Sequence, residues 1–170
     1  MGVIRCTRKL LSELQMKSGD YSGQSAGIGG WHANLLRIDR RKCVLFTNDQ
    51  TLYTFLVTGM KKPEFENILE VFRLNLFKNL AKEKLPQSQV ELVFSEHREL
   101  LITRTSSRSV LGSMNDLANQ ARYLIYDMGG LSNIDHDILN YELNRTPMGA
   151  IGYRSSREEL HKSLNQIETQ

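Results

Sequence analysis

Only two cysteines, Cys6 and Cys43, occur in the 170 residues. They show no paired spacing, which excludes a disulfide-stapled scaffold and points to a reducing, cytoplasmic setting. The four histidines (32, 97, 136, 161) are scattered, and no Cys/His spacing suggests zinc. No metal or cofactor is therefore expected. No apolar run approaches the ~20 residues of a membrane span, so no membrane partner is expected. The opening MGVIRCTRKLLSEL has too short and too interrupted an apolar core for a signal peptide. It also makes a poor myristoylation match. Walker, nucleophile-elbow and H-E-x-x-H motifs are missing, and no carboxylate cluster for a metal-dependent nuclease can be assembled.

What the chain does have is ordinary globular material, with 40% hydrophobic and 24% charged residues. A chain this long buries roughly 70% of its unfolded surface and needs no staple. A single domain over residues 1–170 is expected. Charge is uneven. Residues 1–62 carry ten Lys and Arg against four acids, a balance of +6, and the remainder carries −3. A basic amino-terminal half suits a polyanion, although basic side chains also guard turns and strand edges.

The densest apolar content lies between Trp31 and Met60. Residues 31–38 alternate, with His32, Asn34, Leu36 and Ile38 on one face. Asp39-Arg40-Arg41-Lys42 fits a hairpin connection. Residues 43–47 are apolar on both faces, as in a strand covered on both sides. Asn48-Asp49-Gln50 supplies turn chemistry, and residues 52–58 suit a third strand. The short connections argue for antiparallel neighbours. The expected fold is therefore α+β: an antiparallel sheet of four or five strands around a 31–58 meander, with packed helices.

Around it, Val3–Cys6 reads as a strand and Arg8 to about Met16 as a helix capped by Thr7. Residues 18–30 form a glycine-rich loop. Phe65, Ile68, Leu69, Phe72, Leu76 and Leu80 form a helical stripe after Pro63. Residues 88–96 fit a strand or a helix, and residues 100–105 a strand. A long helix carries Val110, Leu111, Met114, Leu117, Ala118, Ala121, Leu124 and Ile125. Asn133 is a candidate cap for a further helix, and residues 148–153 read as an ordered loop. Ser156-Arg157-Glu158-Glu159 reads as a capping box opening a last helix, with a frayed tail at 165–170.

Several pieces are familiar in this order: IRCTRKLL (4–11), WHANL (31–35), RRK (40–42), SRSVLGSMND (107–116) and LNRTPMGA (143–150). Together they resemble a bacterial domain family of unknown function. The resemblance covers nearly the whole chain and implies no activity, cofactor or catalytic residue.

Three constellations could carry chemistry. The first is the start of the long helix, where Ser107, Arg108 and Ser109 stand by free backbone N–H groups, with Arg104 nearby. The helix dipole, hydroxyls and guanidinium groups there favour an anion. Capping needs one Ser, and three serine hydroxyls (Ser106, Ser107, Ser109) and two arginines are a surplus. The second is His32, a residue suited to acid/base work near neutral pH, sharing its face with apolar Leu36 and Ile38. The third is Asn115-Asp116 with Asn144-Arg145, which together with Asn34 form a polar set that suits bonding between elements. The leading reading is a non-enzymatic binding or regulatory module for a phosphate-bearing partner such as nucleic acid. One alternative is a metal-independent phosphodiesterase or RNase using His32 with Arg104 or Arg108. Another is a structural or protein-interaction domain, with a homo-oligomer left open.

Overall fold

The computed structural model describes residues 1–17, 25 and 27–170. Among these, five segments form the main sheet: β1 (Gly2–Cys6), β2 (Gly30–Ile38), β3 (Arg41–Asn48), β4 (Thr54–Val57) and β5 (Leu100–Arg104). Their order across the sheet is β4-β3-β2-β1-β5. The meander β2-β3-β4 is antiparallel, as expected. Asp39 and Arg40 close its first hairpin, both with positive φ. That matches a two-residue turn whose twist suits the flanking strands.

The sheet as a whole is mixed, which corrects the antiparallel expectation. β1 lies parallel to both β2 and β5. Its connections to those strands are long, and long connections permit parallel crossovers where short ones do not.

Among the described residues, seven α-helices surround the sheet: α1 (Arg8–Leu14), α2 (Lys62–Glu66), α3 (Ile68–Lys82), α4 (Gln87–Glu96), α5 (Arg108–Asp127), α6 (His136–Arg145) and α7 (Ser156–Glu168). One face of the sheet presents Ile4, Cys6, Trp31, Ala33, Val44, Phe46 and Phe55 to α1, α3, α4 and α7. The other presents Leu36, Ile38, Cys43, Leu45 and Leu56 to α5 and α6. β3 is thus covered on both sides, as its doubly apolar run implies.

Several boundaries differ from the sequence reading, each for a local reason. The stripe from Phe65 to Leu80 is broken at Asn67, whose φ of −114° separates α2 from α3. Residues 88–96 are helical, and Val93 is buried on the sheet-facing side. Asp135, rather than Asn133, caps α6, accepting from the backbone of Asp137 and Ile138. Met148 ends a short strand, β6 (Pro147–Met148), and residues 149–153 connect it to a second, β7 (Arg154–Ser155). The last capping box uses Ser155 with Glu158, one residue earlier than read. Helix α7 runs to Glu168, so most of the tail is helical rather than frayed. Of the glycine-rich loop, residues 18–24 and 26 fall outside the described residues.

The exposed side of the edge strand β4 is closed by two asparagines of α6. Asn144 accepts from the Thr54 N–H (2.8 Å) and donates to the Thr54 carbonyl (2.7 Å). Asn140 accepts from the Leu56 N–H at 3.1 Å. Four residues of helix and two of strand both advance about 6 Å. The two side chains therefore fall in step with the edge groups and act as a substitute strand.

Candidate anion-binding site

α5 begins where two parallel strands end. β1 leads into α1, which packs on the Trp31 face; its neighbour β5 leads into α5, which packs on the opposite face. Adjacent parallel strands whose connections part to opposite faces leave a crevice beyond their carboxyl ends, the usual ligand position in open sheets. Arg8, Leu11, Ser12, Gln15, Met16, Lys17 and Arg104 line a pocket of about 470 Å³ here.

The helix start itself is open to solvent. Ser107 caps it by accepting from the Val110 N–H at 3.3 Å. Ser106, Arg108 and Ser109 are exposed. Their side chains, and that of Arg104, have no hydrogen-bond or ionic partner among the described residues. Capping thus consumes one hydroxyl and leaves the rest of the cluster unused. The Thr105 hydroxyl, between β5 and the helix, is buried with no partner among the described residues.

The arginines divide sharply by location. Arg5, Arg73, Arg145, Arg154 and Arg157 each meet a carboxylate: Asp49, Glu70, Glu142, Glu159 and Glu83 respectively. Arg8 and Arg104, in the pocket beside α1, and Arg108, in the first turn of α5, meet none among the described residues. Neither do Arg37, Arg40, Arg41 and Arg122, near its other end. Arg122 donates to the Arg37 carbonyl, Arg41 to the Ser132 hydroxyl, and Asp39 accepts from the Leu131 N–H, which ties the β2–β3 turn to that end. Arg98 is the remaining arginine that meets no acid among the described residues.

The exposed positions of α5 carry poor helix formers. Gly112, Asn115, Asn119, Tyr123 and Tyr126 each cost about 0.5–1 kcal/mol relative to Ala. Surface positions of a helix ordinarily hold Lys, Glu or Ala, and α5 contains no Lys or Glu.

His32 lies elsewhere. It is buried, with 1% of its side chain exposed, and its Nδ1 is 2.5 Å from Asp49 Oδ1. Asp49 Oδ2 accepts from Arg5 Nη1 at 2.5 Å. The register places Thr54, Thr47, His32, Arg5 and Thr103 in one row across all five strands. Asn48 holds the turn that carries Asp49: it donates to the Ile28 and Gly30 carbonyls and accepts from Gln50 and Thr51. His32 Nε2 is buried with no partner among the described residues.

The same register pairs Arg104 with Cys6, on the face opposite His32. No contact joins His32 to Arg108 among the described residues. The structure therefore does not assemble His32 with either arginine.

The polar set is likewise dispersed. Asn34 accepts from the Thr7 hydroxyl at 2.8 Å, Asn144 closes the β4 edge, and Asn115 and Asp116 are exposed on α5. Asp49 was legible only as turn chemistry. Counting outward from the Ile38↔Arg41 pair brings it opposite Gly30, two residues from His32 on the same face, and that count was the available signal.

The profile of a family described as "Domain of unknown function (DUF6933)" matches residues 3–159. Comparison with curated proteins finds no match.

Proposed function

We propose that this chain, which belongs to the DUF6933 family of domains of unknown function, is a non-enzymatic binding module for a phosphate-bearing polyanion. The observation that carries the reading is the division of the arginines. Those bordering α5 are exposed and without carboxylates, while most others are paired. An unpaired guanidinium offers a planar fork of donors that matches phosphate oxygens. Like charges gathered without counter-charges repel one another and lower stability, so such a grouping suits a surface whose neutralising partner comes from outside.

The crevice beyond β1 and β5 adds a second support. Arg8, Lys17 and Arg104 line it, and the first turn of α5 is separately exposed, with the Ser109 hydroxyl unused. Free N–H groups and the positive helix end favour an anion at that point.

The testing experiment is titration of the protein with heparin and with single- and double-stranded oligonucleotides at low ionic strength. Binding that weakens steeply as salt is raised supports the reading. Lack of affinity for every polyanion at low salt overturns it.

A further inference from the structure

We infer that the outward face of α5 reads the major groove of double-stranded DNA. This rests on the polyanion reading above and names its partner. Arg108, Gly112, Asn115, Asn119, Arg122 and Tyr126 are all exposed. They recur at alternating steps of four and three, so they form one stripe along the full 20-residue helix. Met114, Leu117, Ala121 and Ile125 hold the opposite side against the sheet.

The chemistry of the stripe is that of base-edge contact. Arg makes paired hydrogen bonds to guanine, and Asn to adenine. The amides of Asn115 and Asn119 have no hydrogen-bond partner among the described residues. Asp116, beside the stripe, is an acceptor suited to the cytosine amino group.

Gly112 gives an independent indication. A Cβ there would meet nothing within 4 Å, and its φ does not lie in the left-handed region. Neither packing nor backbone conformation within the protein requires glycine at this position. A bare backbone lets another molecule approach closely.

Charge is arranged at the ends. Arg108 and Arg122 are fourteen residues apart, about 21 Å along the axis. Arg108 itself sits in the first turn, and Arg37, Arg40 and Arg41 lie by the second. The major groove of B-form DNA, about 12 Å wide, admits a helix between two phosphate rows. Cations at both ends of such a helix meet phosphates while amides between them meet bases. The deep, narrow major groove of A-form RNA does not admit side chains in this way.

The test is selection from a random-sequence duplex DNA library with the full chain, followed by affinity measurements on the enriched and scrambled duplexes. Enrichment of a defined sequence is expected. Asn115→Ala and Asn119→Ala should each cut the preference for that sequence about tenfold, with the salt dependence unchanged. Gly112→Phe should leave the melting temperature equal to or slightly above wild type and lower duplex affinity at least about tenfold by blocking the groove, while heparin still binds. Failure to enrich any sequence, or Gly112→Phe binding duplex like wild type, overturns the inference. If heparin or single strands bind and duplex does not, the inference falls and the polyanion reading stands. If none of them binds, both fall.

Discussion

Arg122 donates to the backbone carbonyl of Arg37 at 3.0 Å, which holds its guanidinium against the strand that carries Arg37, and neither side chain meets a carboxylate among the described residues. Arg40 and Arg41 stand in the same turn. Exposed like charges at this spacing repel by a few tenths of a kcal/mol each. Arg122→Glu should therefore raise the stability of the free protein by about 0.5 kcal/mol and lower its affinity for heparin. Urea denaturation and heparin titration of the same variant check both halves. A variant that loses stability and keeps full affinity would argue that Arg122 serves packing.

The Arg5–Asp49–His32 row makes a different forecast. Asp49→Ala leaves a largely buried guanidinium without its carboxylate and the His32 ring without its acceptor. A loss of about 3 kcal/mol in unfolding free energy is expected. Gly30→Ala should act through the same pair, because a Cβ there would lie 2.8 Å from Asp49 Oδ2 and 3.2 Å from Arg5 Nη1. At a temperature where both variants remain folded, heparin affinity should match wild type. A large drop in affinity of the folded protein would give this row a part in binding.

Asn144 tests the closure of the sheet edge. Asn144→Ala removes a donor and an acceptor from Thr54, whose backbone groups are buried beside it. Each unmet buried group costs about 1–3 kcal/mol. A destabilisation of about 3 kcal/mol is expected by thermal or chemical unfolding. A cost below about 1 kcal/mol would mean that water replaces the asparagine at the edge.

Acidification acts on His97. Its Nδ1 donates to the Val93 carbonyl (2.7 Å) and its Nε2 accepts from the Trp31 indole N–H (2.8 Å). Both ring nitrogens are thus committed to the neutral form, and burial holds the imidazole below its usual range. The unfolded chain takes up a proton near the ordinary histidine value, and the folded chain does so only at lower pH. Stability from this group is present above about pH 6.5 and falls as pH drops below it, by up to about 1.4 kcal/mol per unit. Fluorescence of Trp31, the only tryptophan, followed through urea unfolding at pH 7.5 and 5.5 measures this. His97→Gln should flatten that part of the profile, and an unchanged slope would contradict the assignment.

The meander was legible because its signals are local. Alternation placed His32, Leu36 and Ile38 on one face, and the doubly apolar run from Cys43 marked a central strand. The parallel placement of β1 was not, because its neighbours are fixed by long-range packing rather than by any turn. A serine cap could be read before the amphipathic run, with Ser106, Ser107 and Ser109 all candidates, and the structure selects Ser107. The division of the arginines could not, since whether Arg157 finds Glu83 while Arg108 finds no acid depends on elements distant in the chain. Asn144 likewise read as a generic polar residue, and only the adjacency of α6 to β4 gives it a partner.

The most direct test of the central claim is the slope of log affinity for heparin or an oligonucleotide against log salt. Wild type should be compared with Arg104→Ala/Arg108→Ala, with Arg37→Ala/Arg41→Ala, and with the control Arg154→Ala, which removes an arginine already paired to Glu159. Each double substitution should reduce the slope by about one to two units, about 0.7–0.9 for each phosphate no longer neutralised, and the control should leave it unchanged. Equal slopes in all four proteins, or a larger change in the control, would contradict the claim that the unpaired arginines around α5 form the binding surface.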